Sequence, residues 1–170
     1  MAHAEQSDTK VRFARDYSFR EIRADNVVLL GNIGSNPWVE PFENHKTLHW
    51  KFDDDRGNYY PVDSTSAAND QEKYHMATQP GQSVEGYATV SLFPNLGGTG
   101  TVLILSATGG SAMNGALSFL SDEHLMVHLR AQLNAEANAQ FPSFEVLIKI
   151  ESRNALPRDS NILIVRRLHP

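Results

Sequence analysis

Two junctions in this chain share one pattern, and that pattern narrows the folds open to it. Asn26-Val27-Val28-Leu29-Leu30-Gly31 is a continuous run of β-branched and leucine residues that ends in glycine, and Val102 to Leu105 runs in the same way toward Thr108-Gly109-Gly110-Ser111. A helix start follows each. In the first, Ser35 or Asn36 stands as N-cap and Pro37 as the first helical residue, where its missing N–H costs nothing. In the second, Ser111 precedes Ala112, Met113, Ala116, Leu117 and Leu120 at helical spacing. Continuous apolar runs of this kind are typical of strands buried on both faces, so 26–31 is read as the central strand.

The remaining segments fill in an order. Val11 to Ala14 reads as a short strand, and Ser18 with Glu21 has the spacing of a capping box opening a single helical turn over about 18–24. The helix from Pro37 to about Asn44 should be short or kinked at Pro41, because an interior proline costs about 3 kcal/mol. Thr47 to Phe52 alternates, with Leu48, Trp50 and Phe52 on one face; Asp53 to Asn58 is a turn, and Tyr59 to Val62 returns as an edge strand that tolerates Pro61. Residues 63–82 are polar and read as a long surface loop, a lid or a disordered segment. Tyr87–Phe93 and Thr101–Leu105 flank the glycine-rich turn Pro94–Gly100 as a hairpin. Ser121 caps a second helix to about Ala139, with Leu125, Leu129 and Leu133 in register and Pro142 as its stop. Glu145–Glu151 and Asn161–Arg167 close the chain as an antiparallel pair across a turn containing Pro157. This order predicts a three-layer α/β sandwich with a mixed sheet, parallel at its centre and antiparallel at one edge, of Rossmann or flavodoxin type.

Length and composition bound the rest. At 170 residues the chain fits one α/β domain over 11–170 behind a polar, disordered tail at 1–10. The absence of cysteine excludes disulfides, Cys-ligated zinc, iron–sulfur clusters and thiol nucleophiles. With 15 Lys+Arg against 20 Asp+Glu, the net charge of -5 argues against nucleic acid as a partner. No apolar run approaches the roughly 18 residues needed to span a bilayer, and residues 1–10 lack a signal-peptide core, so no membrane insertion and a cytoplasmic location are expected.

Chemistry is expected first at the two glycine junctions. Glycine lets backbone approach a ligand, helix starts attract anions, and in open α/β sheets such loops converge beyond the carboxyl ends of the strands. Asn32, Gly34, Ser35 and Asn36 with Gly109, Gly110, Ser111 and Asn114 are the candidate ligand-binding residues, for a small polar or anionic ligand such as a phosphate, a carboxylate or a sugar-like molecule. Neither loop matches the dinucleotide fingerprint or the phosphate loop with its lysine. Ser111 or Ser35 could serve as a nucleophile, with His124, His128, Asp122 and His75 as candidate triad partners; the Gly109–Met113 segment has the placement of a nucleophile elbow, but Met113 stands where a small residue is needed. A divalent metal has two candidate sets: His124 and His128, four apart on one helix without the metalloprotease glutamate, and Asp53 with Asp55 in the hairpin turn.

Three segments carry a resemblance: Phe13 to Arg23, Val28 to Glu40 with its Ser35-Asn36-Pro37-Trp38 motif, and Gly100 to Leu105 with the Phe119-Leu120-Ser121 junction. Together they resemble the C-terminal α/β domain of uncharacterised proteins of soil bacteria, acidobacterial ones especially, in which it follows a winged-helix or membrane segment. The resemblance covers most of the chain and implies a sensory or ligand-binding module following another domain; it transfers no catalytic residue or cofactor. Pro41 departs from it, standing where leucine is expected.

The leading reading is therefore a ligand-binding or sensory domain. The alternative is a small hydrolase of esters or lactones, serine- or metal-dependent. A third is an interaction module that forms a homo-oligomer through an exposed apolar edge.

Overall fold

The computed structural model describes residues 9–79, 83–136 and 139–169. Most of the tail expected over 1–10 lies outside the described residues. Residues 11–13 form no strand; a 3-10 turn, Ala14–Asp16, follows them, and then α1, Phe19–Ile22, opened by the expected capping box between Ser18 and Glu21. Next come β1 (Val27–Leu30), a nine-residue 3-10 helix (Pro37–His45), the hairpin β2 (Leu48–Asp53) and β3 (Asn58–Asp63), and a 3-10 turn (Ala68–Asp70). The chain continues through β4 (Ala77–Gln79), β5 (Ser83–Pro94), β6 (Thr101–Ala107), α2 (Gly110–Ser121), α3 (Glu123–Gln132), β7 (Phe144–Arg153) and β8 (Leu156–Arg167).

The main sheet has the order β1-β6-β5-β7-β8, with β4 added to β5, and β2 pairs with β3 apart from it. Among the described residues only β1 and β6 run parallel; every other pair is antiparallel. This overturns the expected Rossmann- or flavodoxin-like sandwich: strands hold 39% of the described residues against 26% in helices, the centre is the antiparallel β5–β7 pair, and the parallel pair lies at an edge. The reason is connectivity. Short turns join β5 to β6 and β7 to β8, and such turns can only link antiparallel neighbours, whereas parallel ones need a crossover.

The strand read as central is therefore an edge strand. Leu29 is buried, but Val28 and Leu30 are 59% and 53% exposed, because α2 packs over β5 to β8 and stops short of β1. On the helix face, Ala88, Val90, Leu105, Val146, Ile148 and Ile150 pack against α2 and α3. On the opposite face, Ile22, Leu29, Val39, Phe42, Phe93 and Ile104 form a core under the 3-10 helix, and Leu48, Tyr74, Tyr87 and Leu147 form another under the hairpin. Alternation along β5 assigns its residues to the two faces.

Several boundaries differ for local reasons. The Pro37–His45 segment stays 3-10 throughout, with Pro41 inside it, where no N–H is available to donate. Phe52 is exposed at the hairpin's far end, packed edge-on against Tyr59. The loop expected over 63–82 is largely built: Tyr74 is buried, His75 stacks on Tyr60 at 4.0 Å, and β4 joins the sheet, while 80–82 lie outside the described residues. Asp122, not Ser121, caps α3 by accepting from the Leu125 N–H. That helix ends by Leu133, where Asn134 takes a positive φ; of the stretch expected to continue it, 137–138 lie outside the described residues. Pro157 lies within β8, and the β7–β8 turn is Asn154-Ala155, both at positive φ as a two-residue hairpin turn requires.

Candidate functional site

The parallel pair determines what comes together. Leu30 stands opposite Leu105, the Gly31 N–H donates to the Leu105 carbonyl, and the Ser106 hydroxyl donates to the Gly31 carbonyl. The two glycine junctions thus leave adjacent strands at the same end of the sheet, and Asn32, Gly34, Ser35, Asn36, Gly109, Gly110 and Ser111 share that end.

Their side chains are not equally available. Asn32 Oδ1 accepts from the Gly34 N–H at 2.9 Å, and Ser35 Oγ accepts from the Asn32 N–H at 3.0 Å. Asn36 is the N-cap, accepting from Trp38 N–H, and its amide donates to the Leu30 carbonyl at 3.1 Å. The first loop is a self-satisfied turn that closes the end of β1. Gly34 is required there: a Cβ would lie 1.9 Å from the Tyr59 hydroxyl, which the hairpin lays directly on it.

The second loop is open. Gly109 is extended and exposed, no side chain caps α2, and no heavy atom lies within 4 Å of a Cβ placed at Gly110. The α1, Pro37–His45 and α3 starts are capped by Ser18, Asn36 and Asp122. The longest helix is thus left with uncapped first-turn N–H groups, and an anion is the usual complement of such a start. Met76 borders Gly109. Asn114 lies exposed on α2 one turn beyond.

The other candidates are dispersed. Ser111 opens α2 and His124 follows its far end, so a helix of 12 residues, about 18 Å long, lies between them. His124 and His128 are both exposed on α3. Asp53 accepts from the Asp55 and Arg56 N–H groups and from the Arg56 guanidinium at 2.9 Å. His75 Nδ1 lies 3.2 Å from its carboxylate without hydrogen-bond geometry. Burial would raise the Asp53 carboxyl, but Arg56 and His75 hold it below the usual range. Asp55 is exposed. Among the described residues no group of three or more His, Asp or Glu side chains is placed to hold a metal ion.

A buried polar network escaped sequence reading. Glu145 on β7 is fully buried and accepts from the Thr47 N–H and hydroxyl, both at 2.8 Å, and from the Leu48 N–H. The Thr47 hydroxyl in turn accepts from Arg166 on β8 at 2.7 Å, and Arg166 grips Asp63 with both guanidinium nitrogens at 2.9 and 2.7 Å. Burial would raise the Asp63 carboxyl; donors from Arg166, Ser66 and Thr65 outweigh it and hold the group well below the usual carboxylate range. These contacts tie the open end of the β2–β3 hairpin, where Leu48 pairs with Asp63, to the sheet; Tyr59 lies at the other end, beside the turn. The network lies outside the site and anchors the hairpin to β7 and β8. Its only sequence signal is a glutamate in an otherwise apolar strand, Phe144-Glu145-Val146-Leu147-Ile148.

Compared with known proteins, the chain matches no family model, and neither a curated protein nor a solved structure matches it. No helix among the described residues is long and apolar enough to cross a membrane.

Proposed function

We propose that the chain is a binding module for a small anionic ligand, a phosphate or a carboxylate, received at the start of α2 beside the loop that closes β1. The observation that carries this reading is the contrast in capping: the longest helix is uncapped at exposed, unobstructed glycines, next to a second glycine loop held rigid by its own hydrogen bonds. Backbone N–H groups aimed at one point bind anions without a cationic side chain. The resemblance to domains that follow a winged-helix or membrane segment agrees with a sensory role, in which ligand occupancy is passed to a neighbouring domain.

Gly109→Asp tests the proposal. Gly109 is extended, a conformation open to any residue, and a Cβ there meets only Met76 Sδ at 4.0 Å. A carboxylate at this N-cap would occupy the anion's place. Inorganic phosphate or a carboxylate should raise the melting temperature of the native chain, as a ligand bound only to the folded state must. In Gly109→Asp that shift should vanish although the unliganded variant is more stable. Equal shifts in both proteins would overturn the reading.

A further inference from the structure

We propose that the pole opposite this site holds a second binding pocket, for a small uncharged hydroxylated ring such as a neutral hexose. An open groove with about 310 Å³ of space lies there between the glycine-rich turn after β5 and the segment leading into β7, a size at the lower end of small-ligand pockets. Leu92 and Phe141 supply its apolar surface, and Thr99, Thr101, Gln140 and Ser143 bring hydroxyl and amide groups to it. None of the described residues lining it carries a charge. An ion would find no counter-charge on that lining, whereas hydroxyls find donors and acceptors.

Both walls are held more firmly than a chain connection requires. Asn95, almost fully buried, accepts from the Gly97 and Thr99 N–H groups and donates to the Asp25 carbonyl. Gly97 meets the Arg23 carbonyl so closely that a Cβ would lie 2.1 Å from it, fixing the turn against the chain after α1. On the other side Arg130 donates to the Glu136 and Ala139 carbonyls and lays its guanidinium 3.9 Å over the Phe141 ring. A simple hairpin turn needs none of this bracing, and a pocket whose walls are set before binding loses little freedom when it fills. The Gln140 and Ser143 side chains form no hydrogen bond to other described residues, so their polar groups are open to a ligand.

Titration of the 15N-labelled chain with D-glucose and D-galactose, followed by amide chemical shifts, tests this. The expected result is saturable shifts confined to residues 98–101 and 139–144, with affinity weakened roughly tenfold or more in Ser143→Trp, which fills the groove, and several-fold in Gln140→Ala, an exposed position where folding is unaffected. Gly109→Asp should leave the sugar response intact, so failure of this pocket and failure of the anion site are separable. No shift with either sugar up to its solubility limit, shifts elsewhere on the molecule, or affinity unchanged in Gln140→Ala would overturn the proposal.

Discussion

Single residues carry the sharpest consequences. Gly109→Asp should stabilise the unliganded fold by about 1 kcal/mol, since a carboxylate N-cap satisfies first-turn N–H groups and faces the positive end of α2; urea denaturation measures it. Glu145→Ala should cost about 3 kcal/mol, because it leaves the buried N–H of Leu48 and the half-buried N–H of Thr47 without an acceptor. Asp63 sets a pH limb. Its carboxyl is depressed in the folded chain, so its contribution is complete above the unfolded value of about 4 and is lost as pH falls from there toward the native one. Acid unfolding of Asp63→Asn should therefore be shallower than that of the native chain below about pH 4, at the cost of lower stability at neutral pH. None of these roles was evident from the sequence except the openness of Gly109–Gly110. Glu145 and Lys149 share one face of β7, yet the hairpin covers the first and leaves the second facing Glu85 in partial solvent, and only tertiary placement decides which.

At the scale of elements, what local chemistry dictates was legible and what depends on neighbours was not. The Ser18–Glu21 capping box, the Asp53–Asn58 turn and the two hairpin strands follow from spacing within a few residues, whereas the α2 stripe was only half right: Ala112 and Ala116 are buried, but Gly115 and Phe119 complete the face and Leu117 is exposed. The β7–β8 turn was misplaced onto Pro157 because its two central residues are Asn154-Ala155, without the glycine that marks such turns. Ala155 pays for a left-handed conformation, so Ala155→Gly should stabilise the hairpin by about 1 kcal/mol. Gly115→Ala should do the reverse of what helix propensity suggests. A Cβ there would lie 2.7 Å from two carbons of Ile150, and overpacking of about 1–3 kcal/mol exceeds a propensity gain of about 1 kcal/mol. Ile150→Val in the Gly115→Ala background should recover part of the loss, a coupling that a double-mutant cycle reads directly.

For the whole molecule, the misreading of β1 shows where sequence patterning stops. Val27-Val28-Leu29-Leu30 has the composition of a strand covered twice, but whether a helix layer reaches it depends on where α2 lies, and α2 is centred over the antiparallel strands. Leu29→Ala should cost about 2–5 kcal/mol as a buried truncation, whereas Val28→Lys and Leu30→Lys should change stability by less than about 1 kcal/mol. The same edge placement keeps the β1 and β6 loops side by side at one pole while the antiparallel centre fixes the distance between poles. The account's central claim is that this pole receives an anion through the uncapped start of α2. Amide chemical shifts of the 15N-labelled chain during titration with inorganic phosphate test it most directly: saturable shifts of Gly110, Ser111 and Ala112 with smaller ones over 31–36, all absent in Gly109→Asp, are predicted, and a response lying elsewhere, or none, would contradict it.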